Sequence, residues 1–515
     1  MATSYLTPGV YVEEVPSANK PIEGVGTSIA AFVGLAPGGP VNRPTRIANW
    51  TQFATIFGDA QNPENGPFME GAYLAHSVYG WFQNGGGLCW IVRVGSSDGG
   101  VRQAALPAAG DASSEAFRAV AQKGVDTDVK LDVASEGTGG GDGDDSPATY
   151  KLTVTAGSQT EEFDGLSAKK GRSYIVTKVN AASKLIKIEE TGASLPDVAL
   201  ATGSFTLSMP KQSTDAITTT QFEGDVAKRE GMGALAAVDE VTMVIVPDAV
   251  SFAGNGDDTG FRDLQGKMIA HCENMGDRMA ILDPPPNLNP QDALDWRMNA
   301  AGYDSKFATL YYPWLEVMDP ISKRPLLVPP SGHVAGVWAR TDGTRGVHKA
   351  PANEVTLGVN GVAFQITGEE QGGLNQRGIN CIRAFPGRGI RIWGARTLSS
   401  DPEWRYVNVR RLFNYVSESI MEGTQWAVFE PNDERLWSSL RISAANFLNR
   451  TWRQGALFGA SPGDAYYVKC DAETNPQDVI EAGQVVVEIG ICPVKPAEFV
   501  IFRISQFAAG ASEIA

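Results

Sequence analysis

Apolar segments alternate with amphipathic segments on both sides of a long stretch that contains no tryptophan. All eleven tryptophans lie in residues 50–90 or 296–452. Outside the gap, apolar runs typical of buried strands, such as 243–247, precede segments with helical periodicity, such as 260–274. Because this alternation produces sheets flanked by helices, the sequence predicts a mixed α/β fold, with an α/β sheet domain formed by residues 23–100 plus 231–349.

The interrupting segment, residues 101–230, has a different composition. It is rich in Thr, Ser, Gly and Ala, and polar loops such as 137–145 separate short runs with β propensity. The predicted strands are Tyr150–Thr155, Tyr174–Val179, Leu185–Ile188 and Ser204–Ser208. We therefore expect an inserted all-β module that faces solvent.

Residues 350–495 are predicted to form an α+β C-terminal domain. Two amphipathic helices are expected at 403–422 and 433–454, followed by β-type runs at 484–492 and 498–507. In the second helix one apolar stripe contains Leu436, Leu440, Ala444, Phe447 and Leu448.

Both ends of the sequence, residues 1–22 and 496–515, are predicted to be extended arms with apolar strands. Such a strand either pairs within its own domain or adds to the sheet of a neighbouring subunit, and twenty extended residues reach roughly 66 Å. A free apolar strand would promote aggregation. The candidate inter-subunit residues are Val10, Tyr11, Val12, Val15, Phe499, Ile501, Phe502 and Ile504.

Catalytic chemistry has one candidate. The pentapeptides 95–99 and 459–463 match the G-x-S-x-G nucleophile elbow, but Pro462 removes a needed N–H from the second. Ser97 in the first leaves a serine hydrolase as the alternative function. The four histidines never fall at i, i+3 or i, i+4, and no CxxC occurs. We expect no enzyme activity, no catalytic residues, no metal and no cofactor.

Targeting signals are not predicted. No basic residue precedes Lys20, no apolar core follows it, and no run of 18 apolar residues occurs anywhere. Five scattered cysteines fit a reducing compartment.

Charge is segregated along the chain. The net charge is −16, yet residues 371–460 contain twelve Arg, no Lys and seven acidic residues, a net charge of +5. On the helix at 433–454, a face without acidic residues is formed by Arg435, Asn446, Arg450 and Arg453. This face predicts docking to an acidic partner, with pairing inside the domain for about half of the arginines. A nucleic-acid binder is a further alternative, but Phe385 and Trp393 lie in apolar runs typical of buried segments, so no nucleic-acid partner is expected.

Four segments resemble the contractile tail sheath proteins. They are Thr7-Pro-Gly-Val-Tyr-Val-Glu-Glu14, Pro329-Pro-Ser-Gly-His-Val-Ala-Gly-Val-Trp-Ala-Arg-Thr-Asp-Gly343, Gly346-Val-His-Lys-Ala-Pro-Ala-Asn353 and Asn380-Cys-Ile-Arg-Ala-Phe-Pro-Gly-Arg-Gly-Ile-Arg-Ile-Trp-Gly-Ala-Arg-Thr-Leu398. The resemblance is weakest in the inserted module.

The resemblance implies a structural subunit that stacks in hexameric rings as a six-fold helical sleeve around an inner tube. Contraction of the sleeve would drive the tube through a membrane without direct membrane insertion of the sheath. The two arms would interlock subunits, residues 350–495 would form the inner core of the sheath, and Arg435, Asn446, Arg450 and Arg453 would face the tube. Baseplate and tail-terminator or cap proteins are the other implied partners.

Assembly in the cytoplasm of the producing bacterium is implied, followed by a place in a virion tail or phage-tail-like particle. Type VI secretion sheaths are similar but divided over two chains. The single chain therefore favours a bacteriophage tail, an R-type bacteriocin or an extracellular contractile injection system.

Overall fold

The computed structural model describes residues 21–59, 63–95, 103–109, 111–122, 125, 129–137, 148–191, 199–207, 217–254 and 257–503. These residues fall into two compact units. Unit 1 holds the described residues of 21–32, 76–90 and 238–503, and unit 2 holds those of 33–75 and 91–237. The five-part division predicted from the sequence stays a prediction.

The strands are numbered in chain order. They are β1 (Ala30–Gly34), β2 (Thr45–Ile47), β3 (Cys89–Arg93), β4 (Gln103–Ala108), β5 (Asp111–Ala121), β6 (Val129–Gly137), β7 (Thr149–Ala156), β8 (Gln159–Leu166), β9 (Ile186–Glu190), β10 (Gly203–Leu207), β11 (Met243–Ile245), β12 (Met279–Leu282), β13 (Ala308–Tyr312), β14 (Leu315–Met318), β15 (Pro325–Val328), β16 (Glu354–Val355), β17 (Gly361–Val362), β18 (Ile379–Phe385), β19 (Gly389–Ile392), β20 (Tyr466–Lys469) and β21 (Glu488–Ile491).

The α-helices are numbered in the same way. They are α1 (Trp50–Phe57), α2 (Leu74–Gln83), α3 (Ile175–Ala182), α4 (Thr219–Glu223), α5 (Thr259–Met275), α6 (Pro290–Trp296), α7 (Ser331–Arg345), α8 (Gly368–Gln376), α9 (Val407–Gly423), α10 (Glu434–Arg453), α11 (Pro462–Ala465) and α12 (Gln477–Glu481).

The main sheet of unit 1 runs in the order β16-β19-β18-β13-β12-β11-β1. Its members from β1 to β18 pair in parallel, whereas β19 and β16 are antiparallel. Every residue of β11, β12 and β13 is buried, as expected of short apolar strands in a parallel sheet covered by helices. Helices α5 and α7 pack against these strands. The mixed α/β fold predicted from the sequence is confirmed.

Unit 1 also contains two smaller antiparallel sheets, β15-β14-β17 and β20-β21. Near the second sheet, α9 and α10 share a core that includes Leu412, Val416, Phe447, Leu448 and Ile22. The predicted apolar stripe of α10 is confirmed, because all five of its residues are buried.

Unit 2 includes the described part of residues 101–230, the segment predicted to be an inserted module. A four-stranded antiparallel sheet, β10-β6-β7-β8, and a three-stranded one, β4-β5-β9, contribute to one hydrophobic core with α3. Along β7 the side chains alternate, with Tyr150, Leu152, Val154 and Ala156 buried. This period of two explains why β7 could be predicted from the sequence.

One predicted strand of the module is wrong, and residues 101–230 are therefore not all-β as expected. Residues 174–179 are not a strand, since Ile175–Ala182 form α3. Their β-branched composition suggested a strand, but Ile175 and Val179 are spaced i, i+4 and both are buried on one helical face. The Asn180 side chain bonds the N–H and C=O of Ile188, which ties the helix to β9.

The predicted strand at 484–492 is too long. Only Glu488–Ile491 pair in a ladder. Before it, the Asn475 amide accepts from the Val486 N–H at 2.7 Å and donates to its C=O at 3.1 Å. A side chain thus satisfies the backbone groups that a partner strand would otherwise pair.

Candidate interaction surfaces

Several predicted site residues lie outside the described residues. They are Val10, Tyr11, Val12, Val15, Ile504 and Ser97. The described candidates are Phe499, Ile501 and Phe502 near the C-terminal end, and Arg435, Asn446, Arg450 and Arg453 on α10.

The predicted polar face of α10 is exposed. Arg435, Asn446, Arg450 and Arg453 all lie on the solvent side of the helix, opposite its buried stripe. Asp433 caps the helix by accepting the N–H groups of Arg435 and Leu436. Two of the cations, Arg450 and Arg453, lie in the last turn, where positive charge is favourable for the helix dipole.

Arg450 also has a role inside unit 1. Its Nη2 donates to the carbonyl oxygen of Ile22, whose side chain is fully buried. Two further bonds hold the same segment: the Val25 N–H donates to Ser419 Oγ at 3.1 Å, and Arg411 Nη2 donates to the Thr27 carbonyl at 2.9 Å. Residues 22–27 are therefore anchored on α9 and α10. Sequence reasoning missed this anchor.

A second anchor holds the C-terminal segment. The Glu498 carboxylate accepts two bonds from Arg396, at 2.9 and 2.6 Å, one from Asn375 Nδ2 at 2.7 Å and one from Tyr406 Oη at 3.2 Å. Burial alone would raise the pKa of Glu498, but hydrogen bonds from Arg396 and Asn375 outweigh it and lower the pKa overall. Asn408 also donates to the Val494 carbonyl at 3.1 Å. We call Glu498 together with Arg396, Asn375 and Tyr406 the Glu498 anchor.

The residues after the anchor expose an apolar run. Phe499, Val500, Ile501 and Phe502 are 72%, 69%, 79% and 83% exposed. Among the described residues, 498–503 form no strand and pair with no sheet. Four consecutive large apolar side chains in water are unusual for an isolated chain and typical of an interaction segment.

The expected internal pairing of the arginines is mostly wrong. Of the twelve arginines between 371 and 460, only Arg396 and Arg411 form ion pairs with acidic side chains of the described residues. Arg410 is buried instead among the rings of Phe307, Trp404 and Phe413, at 4.8, 4.5 and 5.6 Å, and desolvation lowers its pKa to about 10.

Phe385 and Trp393 are half-buried, not buried as the apolar runs suggested. Their ring centroids lie 4.6 Å apart, and the guanidinium carbons of Arg383 and Arg388 lie 5.2 and 4.8 Å from the Phe385 centroid. Stacking on aromatic faces accommodates these cations without acidic partners.

The described residues contain no group of three or more His, Cys, Asp or Glu that could hold a metal ion. Within the same ranges no helix is long and apolar enough to cross a bilayer.

Two family models match adjacent parts of the chain. The phage tail sheath protein central domain matches residues 227–398, and the phage tail sheath C-terminal domain matches residues 399–507. Together they cover more than half of the sequence and include both anchors' partners on α8, α9 and α10.

Curated relatives agree with the models. The tail sheath protein of Burkholderia phage BcepMu is 24% identical over 506 residues, which covers 95% of this chain and 94% of the relative. The tail sheath protein of Vibrio phage KVP40 is 30% identical over 186 residues, covering 35% of this chain and 27% of the relative.

Solved structures show the same fold. The PVC sheath complex of an extracellular contractile injection system, in its contracted state, matches with a TM-score of 0.60 and 25% identity, covering 98% of this chain and 99% of that chain. The contracted helical sheath of the anti-feeding prophage matches with a TM-score of 0.58 and 25% identity, covering 98% and 100%. The fold thus defines a structural subunit of contractile particles. The chain belongs to the phage tail sheath protein family.

The serine hydrolase alternative gains no support from these comparisons, which are with structural sheath proteins. Ser97 itself lies outside the described residues.

Proposed function

We propose that this chain polymerises with further copies as a six-fold helical cylinder around an inner tube, and that the cylinder contracts to drive the tube through a target membrane. The observation that carries the proposal is the exposed apolar run Phe499–Phe502, 69–83% exposed, because a contiguous exposed apolar run is typical of a surface that binds another molecule. Because the chain belongs to the sheath family, we propose a neighbouring copy as the molecule that covers this run.

In this proposal both arms interlock neighbouring subunits. Residues 22–27 and Glu498 are each fixed to unit 1, so in this proposal each arm starts from a fixed point on its own subunit. Five or six backbone hydrogen bonds per donated strand, at about 1 kcal/mol net each, would link subunits securely while allowing rotation.

The exposed face of α10 is the proposed tube contact. Arg435, Asn446 and Arg453 are the better candidates, because Arg450 already bonds Ile22. Exposed ion pairs of about 0.2–1 kcal/mol each would hold the tube and still release it during contraction.

The proposed setting follows from the relatives. Matches include an anti-feeding prophage baseplate structure, so a baseplate is the proposed partner at one end of the cylinder and a terminator or cap protein at the other. Assembly would occur in the cytoplasm of the producing bacterium, before the sheath becomes part of a phage tail, an R-type bacteriocin or an injection system.

Serine substitution tests the arm. The triple variant Phe499→Ser, Ile501→Ser, Phe502→Ser removes exposed apolar surface and should leave the subunit folded while abolishing long striated cylinders in negative-stain micrographs. The control, Met318→Ser with Ile321→Ser, changes side chains that are 49% and 43% exposed elsewhere. Cylinders of normal length from the triple variant would contradict the proposal.

Charge reversal tests the tube face. Arg435→Glu with Arg453→Glu should prevent assembly on purified tubes, and wild-type assembly should weaken as salt rises. Arg172→Glu with Lys184→Glu makes the same charge change on exposed residues of unit 2 and should assemble normally. Normal tube-templated assembly of the α10 variant would place the tube contact elsewhere.

A further inference from the structure

A cleft in unit 1 separates the C-terminal segment from the body of the unit. Its volume is about 610 Å³, and it is lined on one side by residues 345–353 and 393–395 and on the other by 494–500. A cleft of this size accommodates several side chains of an extended peptide.

The outer wall of the cleft is held in place. Glu498 lines it and is fixed by Arg396, Asn375 and Tyr406, while Asn408 holds the Val494 carbonyl. The cleft is thus a built feature of the subunit, because the wall is bonded to the body at two points.

The cleft is cationic. Arg345 and Lys495 are exposed at its rim, and neither forms an ion pair with the described residues. Lys349 contributes a third cation, 3.9 Å from Glu354, and its Nζ donates to the carbonyls of Ala350 and Ala352. Because Arg396 neutralises Glu498, positive charge dominates the site in a chain whose net charge is −16.

The cleft also has an apolar side. Trp393, Tyr406, Val494, Pro496 and Val500 line it beside the cations. A ligand that complements both sides carries carboxylates next to apolar or aromatic side chains.

We infer that this cleft binds the segment Val10–Val15 of a second copy of the chain. The segment reads Val-Tyr-Val-Glu-Glu-Val, so Glu13 and Glu14 match the cationic rim while Tyr11 and its valines match the apolar wall. The inference rests on the proposed function, in which residues 1–20 reach a neighbouring subunit, and it assigns the place where they bind.

The length of chain suffices. Residue 22 is fixed on α10, and the segment 10–15 lies seven or more residues before it. Seven extended residues span roughly 23–25 Å, so Val10–Val15 can lie up to that distance from the point where residue 22 is fixed.

Photo-crosslinking in assembled sheaths tests the site directly. Full-length chain with p-benzoylphenylalanine in place of Tyr11 is mixed with ¹⁵N-labelled chain, assembled, irradiated and analysed by mass spectrometry. The expected product joins position 11 of one copy to residues 345–353 or 494–500 of another. The same photoreactive residue in place of Phe205, in unit 2, should not label the cleft.

The products separate the inference from the proposed function. Crosslinks to another copy outside the cleft would overturn this site and leave arm exchange standing. Crosslinks confined to single copies in well-formed sheaths, or none between copies, would overturn both.

Charge exchange gives an independent readout. Arg345→Glu with Lys495→Glu, and separately Glu13→Lys with Glu14→Lys, should each shorten sheaths about tenfold through like-charge contacts, and the four changes together should restore their length. Arg172→Glu with Lys184→Glu is the control of equal charge. If Arg345→Glu lowers the melting temperature, Lys495→Glu alone replaces the double variant in this test, because Lys495 lies outside the helices and strands. Failure of the fourfold variant to exceed either pair would overturn the assignment.

Discussion

Arg396 and Glu498, 102 residues apart in sequence, form a two-point ion pair in which Nε lies 2.9 Å from Oε1 and Nη2 lies 2.6 Å from Oε2. Residues 371–400, which include Arg396, contain five arginines and no acidic residue, so an acidic partner for Arg396 has to come from another segment. That partner is Glu498 of the C-terminal segment. The pair fixes the point at which that segment leaves the body of unit 1, and the exposed apolar run begins at the next residue.

Loss of the Glu498 charge should release the segment. Glu498→Gln leaves Arg396, whose side chain is 12% exposed, without a counter-charge, and should cost about 1–3 kcal/mol locally. Hydrogen exchange of residues 494–503 should accelerate, measured by mass spectrometry. Glu369→Gln changes an exposed carboxylate on α8 and should leave those rates unchanged.

The same variant predicts a pH dependence. Since the pKa of Glu498 is lowered in the folded chain, its contribution is complete above the ordinary pKa of about 4.3 and is lost as pH falls through the folded pKa. Wild type and Glu498→Gln should therefore differ at neutral pH, and the difference should shrink as pH falls below about 4.3 and be lost once pH lies below the folded pKa. A difference that persists at lower pH would contradict this role of the charge.

A second ion pair lies deeper. Arg411 donates to both Asp342 oxygens, with Nη1 2.9 Å from Oδ1, and the two side chains are 3% and 2% exposed. Its guanidinium carbon lies 4.6 Å from the Trp338 ring. Asp342→Asn should lower the free energy of unfolding by about 3–5 kcal/mol, measured by urea denaturation, because it leaves a buried charge unpaired.

Two controls bracket that effect. Arg411→Met with Asp342→Leu should be closer to wild type than either single change, since both charges are removed. Glu473→Gln breaks the pair with Lys469, in which the Glu473 side chain is 79% and the Lys469 side chain 38% exposed, and should leave the free energy of unfolding nearly unchanged. Equal costs for Asp342→Asn and Glu473→Gln would contradict the prediction.

Because Ile22 packs closely on the end of α9, replacing Gly423 by alanine should lower the stability of the chain. A Cβ added at Gly423 would lie 2.8 Å from both Cγ atoms of Ile22. In open space Gly→Ala in a helix stabilises by about 0.5–1 kcal/mol. We expect Gly423→Ala to destabilise instead and to expose residues 22–27 to limited proteolysis.

A matched glycine supplies the comparison. Gly372 in α8 has nothing within 4 Å of an added Cβ, so Gly372→Ala should raise the melting temperature. Gly423→Ala should cost less in the Ile22→Ala background than in wild type, because both Cγ contacts are removed and only the Cβ of residue 22, at 3.0 Å, remains. If Gly423→Ala and Gly372→Ala stabilise alike, Ile22 is not packed against α9.

Sequence periodicity predicted the elements whose side chains repeat in one pattern. Leu436, Leu440 and Phe447 recur at helical spacing, so the buried and exposed faces of α10 were predictable. The segment 174–179 was mistaken because its β-branched residues favour strands locally, whereas packing of Ile175 and Val179 selects a helix.

The anchors could not be predicted in this way. Arg450 bonds Ile22, 428 residues earlier in the chain, and Arg396 bonds Glu498, 102 residues later. Such pairs leave no periodic signal, because each depends on where the fold brings distant segments together. The proposed arm and tube contacts cannot be predicted from the contacts within one chain, because their partners are other molecules.

Because of Asp283, we expect unit 1 to become more stable as pH falls from about 7 to about 4. Its carboxylate is buried and accepts the Ser331 N–H at 2.8 Å and hydroxyl at 2.6 Å at the start of α7. Burial raises its pKa to about 7, although the bonds from Ser331 act in the opposite direction. Below about pH 4 the folded and unfolded chains both hold the proton, whereas between about pH 4 and 7 only the folded chain does, so stability falls as pH rises.

Asp283→Asn should remove this dependence. Relative to the variant, wild type should gain about 2 kcal/mol of unfolding free energy between pH 7.5 and pH 5, measured by urea denaturation at each pH. Asp304 provides the control, because it accepts from Ser400 in the same way but is exposed, and those bonds lower its pKa. Asp304→Asn should show no such change above pH 5, and an equally flat profile for Asp283→Asn relative to wild type would mean that Asp283 stays ionised in the folded chain.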